Sequence, residues 1–221
     1  MRRFRWKRRR AALVLLPAIG MMITAGIAGA QDTVPALTGG GPEASAASAP
    51  TAVSLKGQRN VMAHRATTLR GHVAPGGTHR VVVRVGGSKL RTHSRGNGSY
   101  RVRWHAPGSG VYSARARVDS SSVRSHRLRV NVYRPAEASY YGPGLYGGAL
   151  ACGGTLSPGK LGVANKTLPC GARVTLRYHG KTVIVPVIDR GPYAGNREYD
   201  LTAATKAKLG FPSKGTVLTT R

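Results

Sequence analysis

The sequence has 221 residues, which allows one or two domains of ordinary size. Its 41% hydrophobic content excludes a wholly disordered chain, although 30 Gly and 13 Pro indicate many turns and linkers. With 35 Lys and Arg against 7 Asp and Glu, the formal net charge is +28, which favours an anionic environment.

The first 50 residues predict an export signal and a tether. Residues 1–10 are strongly basic, and residues 11–30 are uncharged and end in Ala-Gly-Ala. This pattern is typical of a cleaved signal peptide over residues 1–30, so we expect a secreted or cell wall-associated protein. The alternative is an uncleaved membrane anchor, because such a run can barely span a bilayer. Residues 31–50, rich in Ala, Ser, Gly and Pro, predict a flexible linker.

Alternating apolar and polar residues follow in residues 51–134. A period of two indicates strands with one buried face, and Gly- and Pro-rich turns separate these strands. The pattern predicts a mainly β chain that begins with an antiparallel β-sandwich resembling bacterial immunoglobulin-like modules. The alternating positions expected in its core are Tyr100, Val102, Trp104, Tyr112, Ala114, Ala116, Val118, Leu128, Val130 and Val132.

The predicted sandwich carries most of the positive charge. Residues 51–134 contain 17 Lys and Arg and one acid, Asp119, for a net charge of +16. One interpretation is a solvated surface, and the other is a clamp for an anionic polymer such as a cell-wall polyanion or an acidic membrane. Nucleic acid is not expected, because the chain has no nucleic acid-binding motif and carries an export signal.

Residues 135–221 have a different composition. Residues 173–178 alternate, and residues 183–188 form a nearly continuous apolar run that predicts a buried strand. His179 and Gly180 predict a surface turn that joins these two strands. A short helix is expected from about Thr202 to Leu209, with Gly210 as its C-terminal stop and Asp200 as an N-terminal cap.

Two cysteines, Cys152 and Cys170, are the only ones in the sequence. In an exported protein, an even number of cysteines at close range predicts a disulfide, whereas two free thiols are the weaker alternative. Without a matching histidine cluster the pair does not predict a metal site.

Four motifs carry a family resemblance: ASYYGPG at residues 138–144, ANKTLPCG at 164–171, VIDRGPY at 187–193, and YDLT at 199–202 followed by Leu-Gly. In this order they resemble the RlpA-like double-psi β-barrel family of bacterial cell-wall proteins, which is related in fold to expansins. The resemblance covers about residues 138–219. It implies that residues 135–221 form a six-stranded double-psi β-barrel with one short helix, acting on peptidoglycan glycan strands.

Characterised enzymes of this family are lytic transglycosylases, which cleave the MurNAc–GlcNAc bond and leave a 1,6-anhydro end. One carboxyl group can serve such a reaction, because the 6-hydroxyl of the sugar is the nucleophile. Asp189 is the candidate general acid and base, since it follows an apolar strand and precedes a Gly-Pro turn. The alternative role for Asp189 is to cap that turn through backbone N–H groups.

Residues around these motifs are candidate substrate contacts. Two departures from the family pattern weaken the case for an enzyme: Gly154 stands where catalytic relatives carry an acid, and Asn165 stands where they carry a histidine. Asparagine can bind a sugar hydroxyl but cannot exchange a proton near neutrality. The candidate substrate-binding residues are Tyr140, Tyr141, Asn165, Lys166, Arg190, Tyr193 and Glu198.

Three hypotheses therefore stay open: a lytic transglycosylase that uses Asp189, an expansin-like module that binds glycan without cleaving it, and a structural wall protein held by its basic sandwich. No nucleotide loop, metal cluster or Ser/Cys–His pattern is evident, so no cofactor is expected. We expect a monomer whose partners are glycan strands and anionic wall polymers.

Overall fold

The computed structural model describes residues 48–119 and 121–221. The predicted signal peptide and most of the predicted linker lie outside the described residues. Over the part of the chain that the structure describes, no helix has the length and apolarity that a membrane crossing requires. The prediction of a mainly β chain is confirmed. The elements are β1 Ala52–Val53, β2 Asn60–Met62, β3 Ala66–Ala74, β4 Arg80–Val85, β5 Ser88–His93, β6 Ser99–His105, β7 Gly110–Val118, β8 Leu128–Tyr141, β9 Val163–Ala164, β10 Arg173–Tyr178, β11 Lys181–Asp189, β12 Tyr199–Thr202, α1 Ala203–Leu209 and β13 Lys214–Thr219.

Two sheets enclose one apolar core in the first half of the described chain. The smaller sheet has the order β1-β3-β6, and the larger contains β5-β4-β7-β8 with β2 beside β8. All of these pairs are antiparallel except β2–β8, which is parallel. Alternation places the apolar side chains of both sheets inward, and Trp104 at their centre is 1% exposed. The immunoglobulin-like assignment of this sandwich stays a prediction.

Strand β8 belongs to both halves of the molecule. Its first residues pair with β7 and β2, and its last residues, from Arg134 onward, pair with β13 and β12. The domain boundary predicted between residues 134 and 135 therefore lies inside one continuous strand. The two halves share a backbone element at this point instead of a flexible linker.

The second half closes into a barrel. The hydrogen-bonded order runs from β8 to β12, β9, β11, β10 and β13, and β13 pairs again with β8. This closure leaves no open edge in the ring of six strands, and it confirms the predicted six-stranded barrel. Its interior is filled by aliphatic and aromatic side chains, including Leu176, Leu201 and Tyr199, each 0% exposed.

The short helix α1 lies beside the barrel and agrees with the predicted span to within one residue. Its N-cap is Thr202, whose hydroxyl accepts a hydrogen bond from the Thr205 amide at 3.2 Å. Gly210 ends the helix in the left-handed conformation, with φ of 67°. The prediction that Asp200 caps this helix is wrong, because Asp200 lies two residues earlier, within β12.

Candidate functional site

A surface cleft of about 370 Å³ opens at one side of the barrel. Strands β8, β9, β11 and β12 contribute its floor, and the loop after β11 contributes a wall. The structure brings together four residues that the sequence predicts as site residues, namely Asp189, Tyr141, Arg190 and Tyr193. The cleft is lined by Tyr141, Leu145, Ala164, Asp189, Arg190, Gly191, Pro192, Tyr193, Ala194, Arg197 and Asp200.

A β-bulge at the end of β11 turns Asp189 toward this cleft. Val187 pairs with Val163 of β9, whereas Asp189 pairs with the next residue, Ala164, so the register shifts by one between them. Val163 and Val187 lie in the barrel core. Because adjacent strand residues point to opposite faces, Ala164 and Asp189 face away from that core. Strict alternation would have placed the Asp189 carboxyl inside the barrel with Val187.

Backbone amides fix the orientation of the Asp189 carboxylate. Its Oδ1 accepts hydrogen bonds from the amides of Ala151 and Arg190, both at 2.9 Å. No described residue donates a hydrogen bond to Oδ2, and the side chain is half-buried. The residue thus performs the turn-capping role that was its structural alternative, and it keeps one carboxylate oxygen available at the cleft.

Asp200 is a second carboxylate in the cleft. It pairs with Ala164 from the other side, through β12, and its Oδ1 accepts a hydrogen bond from the Ser139 hydroxyl at 2.7 Å. Burial raises the pKa of Asp200 above the ordinary value, and the charge of Asp189 adds to this rise. The Ser139 hydrogen bond and the charge of Arg197 act in the opposite direction.

The Tyr141 side chain lies beside these two carboxylates. Burial raises the pKa of its hydroxyl, and the charges of Asp189 and then Asp200 raise it further. Its oxygen is buried and forms no hydrogen bond with the described residues. A neutral phenol that faces two acids can donate a hydrogen bond to a bound ligand or to a carboxylate.

Arg190 and Tyr193 differ in how far they are free to bind a ligand. The guanidinium of Arg190 donates to the carbonyl oxygens of Asn165 at 3.1 Å and Leu168 at 2.8 Å, and to Cys170 Sγ at 3.1 Å. It therefore holds the loop after β9 in place. Tyr193 is 79% exposed at the rim of the cleft, where its ring offers a flat apolar surface.

Asn165 has a structural role in this fold. Its side chain is 3% exposed. Its Oδ1 accepts hydrogen bonds from the amides of Thr167 at 3.0 Å and Leu168 at 2.8 Å, and its Nδ2 donates to the Glu198 carbonyl at 3.0 Å. These bonds occupy the side chain, which does not line the cleft and is not positioned as the sugar contact that the sequence suggests.

Three other sequence-predicted contacts lie outside the cleft lining. Tyr140 faces the opposite side of β8 from Tyr141 and lies under Lys206 Nζ, 4.4 Å from the ring centroid. Lys166 is exposed on the loop after β9. Both carboxylate oxygens of Glu198 are bound by Arg134, at 2.6 and 2.7 Å.

Cys152 and Cys170 form the predicted disulfide, with Cα atoms 5.5 Å apart. This bond joins the segment that donates to Asp189 to the loop held by Arg190, since Ala151 precedes Cys152 and Arg190 contacts the sulfur of Cys170. Within residues 48–119 and 121–221 there is no cluster of three or more His, Cys, Asp or Glu side chains that could hold a metal ion.

Leu145, Arg197 and Asp200 line the cleft although the sequence does not predict them as site residues. Asp200 is part of the YDLT motif, which could have marked it. Its position next to Asp189 depends on a three-strand register that no local pattern reports. Leu145 and Arg197 lie in loops, and nothing in the sequence places them at the site.

Comparison with known proteins matches the C-terminal half of the described chain. Residues 135–220 match the family described as lytic transglycolase. Endolytic peptidoglycan transglycosylase RlpA from Neisseria meningitidis is 43% identical over 82 residues, which is 36% of this chain and 34% of that protein. The protein of the same name from Pseudomonas aeruginosa is 44% identical over 81 residues, or 36% of this chain and 24% of the relative.

A closed six-stranded barrel with an Asp-bearing cleft, together with these matches, defines the class to which this region belongs. Residues 135–220 form a domain of the RlpA-like double-psi β-barrel family. The chain spans about a third of the Neisseria relative and about a quarter of the Pseudomonas relative, and the family match covers residues 135–220.

Proposed function

We propose that this chain is an exported cell-wall protein whose barrel cleaves peptidoglycan glycan strands as a lytic transglycosylase, with Asp189 as general acid and base. The observation that carries the proposal is the half-buried Asp189 carboxylate, which is oriented by two backbone amides and has Oδ2 available at a cleft. The family match over residues 135–220 and the names of the relatives support the reaction class.

The reaction requires one proton carrier. Protonated Asp189 gives its proton to the glycosidic oxygen as the bond to C1 of MurNAc breaks, and the leaving GlcNAc carries that proton away. The 6-hydroxyl of the same MurNAc then bonds to C1, and its proton returns to Asp189. Product and substrate have the same atoms, since no water is consumed. Because the nucleophile belongs to the substrate, positioning of the ring contributes much of the rate.

Cleft residues have distinct roles in this proposal. Tyr193 packs against a sugar ring at the rim, because its exposed ring is apolar and rigid. Asp200, with its raised pKa, and the neutral Tyr141 hydroxyl supply hydrogen bonds near the reacting oxygen. Arg190 and Asn165 hold the loop after β9 and act on the substrate only indirectly.

A non-catalytic, expansin-like module is the second candidate. It is favoured by the residues at two positions where catalytic relatives carry proton-transfer groups. Gly154 has no side chain, and the Asn165 amide is buried with its hydrogen bonds satisfied. Such a module would bind glycan in the same cleft without breaking a bond.

Mass spectrometry of purified sacculi after incubation with the full chain tests both candidates. The first predicts anhydro-muropeptides that fall about 10²–10⁴-fold with Asp189→Asn. The matched control is Glu137→Gln, an acid-to-amide change outside the cleft lining, which should leave the yield unchanged. Sedimentation of the protein with sacculi without products would favour the second candidate, and the absence of both would contradict each.

A further inference from the structure

A row of three cations crosses the outer face of the smaller sheet. Lys56 and Arg70 pair in an antiparallel bridge, exchanging backbone hydrogen bonds of 2.7 and 2.9 Å. Arg70 pairs in turn with Arg101 of β6. Directly paired residues point to the same face, and all three side chains are exposed. Arg103 lies two residues after Arg101 and extends the positive surface along β6.

This arrangement costs stability unless an anion neutralises it. Like charges directly opposite each other on neighbouring strands are destabilising. The only acid in residues 51–134 is Asp119, which pairs with Arg80 and Arg117 on the larger sheet. None of the three row cations forms a salt bridge with a described residue. The row therefore lacks a counter-charge from the described part of the chain.

Two adjoining clefts follow this row. Their volumes are about 660 and 670 Å³, and both are lined by Lys56, Thr68 and Arg70. Arg103 lines the first, and Arg95 and Arg101 line the second. A long polyanion could lie along them with several of its charges matched. The Thr68 hydroxyl adds a neutral donor in the shared part.

The larger sheet carries a row of the same composition. Lys89, Arg84 and Arg115 pair across β5, β4 and β7 and are also exposed. The clefts beside this row are smaller, about 290 and 370 Å³, and the same sheet bears Asp119. The smaller sheet thus combines equal charge with more room and no acid.

We infer that the outer face of the smaller sheet, centred on Lys56, Arg70 and Arg101, binds a phosphodiester polymer of the cell envelope. Each phosphodiester keeps one negative charge at physiological pH and presents two oxygens to the fork of a guanidinium. Strand spacing of about 4.8 Å sets the three cations within about 10 Å, which suits consecutive charges of one polymer. The inference rests on the wall location in the proposed function, but not on catalysis by the barrel.

Binding of the full chain to poly(glycerol phosphate) tests this inference, with fluorescence anisotropy at about 50 and 200 mM salt. The row variant is Lys56→Gln/Arg70→Gln/Arg101→Gln. The matched control is Lys89→Gln/Arg84→Gln/Arg115→Gln, which removes one Lys and two Arg from the other sheet. Arg70→Gln alone is a milder second variant, and thermal melting checks the fold of each.

The row variant should bind about tenfold more weakly or worse, and its log–log salt slope should fall by about 2. The control should bind within a factor of about two of the unchanged chain. Melting temperature of the row variant should hold or rise, because opposed like charges are removed. Asp189→Asn should bind the polymer as the unchanged chain does, so that polymer binding is tested separately from catalysis by the barrel.

Three results would overturn the inference. If the row variant and its control both lost the same affinity for poly(glycerol phosphate), binding would depend on overall charge and not on this face. Tighter binding to a carboxylate polymer such as polygalacturonate than to poly(glycerol phosphate) would show that the face does not select phosphodiesters. Tighter binding to a single-stranded DNA of equal charge would assign the face to nucleic acid.

Discussion

Asp189 and Asp200 lie on either side of Ala164, on the outer face of the barrel. Ala164 pairs with Asp189 through parallel strands and with Asp200 through antiparallel strands. Two strand spacings separate the two acids, about 10 Å between Cα atoms. Because the side chain of Ala164 is small, it leaves room between the two carboxylates, and all three residues line the cleft.

Replacing Asp200 should give a pH-dependent gain in stability. Because burial raises the pKa of Asp200 in the folded state, its ionisation disfavours folding as pH rises above the unfolded-state value of about 3.9. This cost is absent well below that value and is complete above the folded-state pKa. Asp200→Asn should therefore raise the melting temperature near pH 7 and leave it nearly unchanged near pH 3.

A calorimetric pH series on both proteins measures this difference. Glu137→Gln serves as the control, because Glu137 lies on the exposed surface of β8. A melting-temperature gain for Asp200→Asn that is equal at both pH values would show that the ionisation of Asp200 is not its source.

Tyr193→Ala should weaken binding to glycan strands and spare stability. The ring is 79% exposed, so its removal opens no cavity and should change the free energy of unfolding by less than about 0.5 kcal/mol. Co-sedimentation with sacculi should show reduced retention. Tyr146→Ala is the matched control, since Tyr146 is 41% exposed and lies outside the cleft lining. Equal losses for the two variants would argue against a sugar platform at Tyr193.

Asn165→Ala should destabilise the protein by about 2 kcal/mol or more. The change removes three hydrogen bonds from a side chain that is 3% exposed and leaves backbone groups of Thr167, Leu168 and Glu198 unpaired. Urea unfolding measures the loss. Lys166→Ala, at the exposed neighbouring position, should have little effect, and similar costs for both would contradict the structural role of Asn165.

The disulfide should matter for both stability and the site. Closing its loop, with a sequence separation of 18, contributes about 3 kcal/mol in the chain-entropy model. The variant Cys152→Ser/Cys170→Ser should unfold at a lower urea concentration. A smaller fraction of it should also sediment with sacculi, because the Ala151 amide that orients Asp189 adjoins Cys152. A reductant should lower the urea concentration at which the unchanged chain unfolds and should leave that of the double variant unchanged. A shift in both would point to an effect unrelated to this bond.

Glu198→Gln should cost only about 0.5–1 kcal/mol, because the Arg134–Glu198 pair is about one-third exposed on each side. Since Arg134 already binds both carboxylate oxygens, retention on sacculi should not change. Denaturant unfolding and co-sedimentation of the same preparations measure the two effects. A large loss of retention with unchanged stability would restore Glu198 as a substrate contact.

Local patterns in the sequence predicted the strands of the sandwich and the helix correctly. Tyr100, Val102 and Trp104 are buried as their alternation indicated, and Gly210 ends the helix. The apolar run at residues 183–188 was predicted less well, because Ile184 is 43% exposed on the outer side of β11. Hydrophobicity alone does not tell which face of a barrel strand meets solvent.

The sequence by itself determined the alternating strands, the cysteine pair and the excess of positive charge, since each depends on residue type and short spacing. Only the tertiary structure decided that a bulge turns Asp189 outward, that Ala164 sets Asp200 beside it, and that Arg70 faces Lys56 and Arg101. These relationships depend on the register between strands far apart in the chain. A shift of one residue would move each side chain to the other face of its sheet.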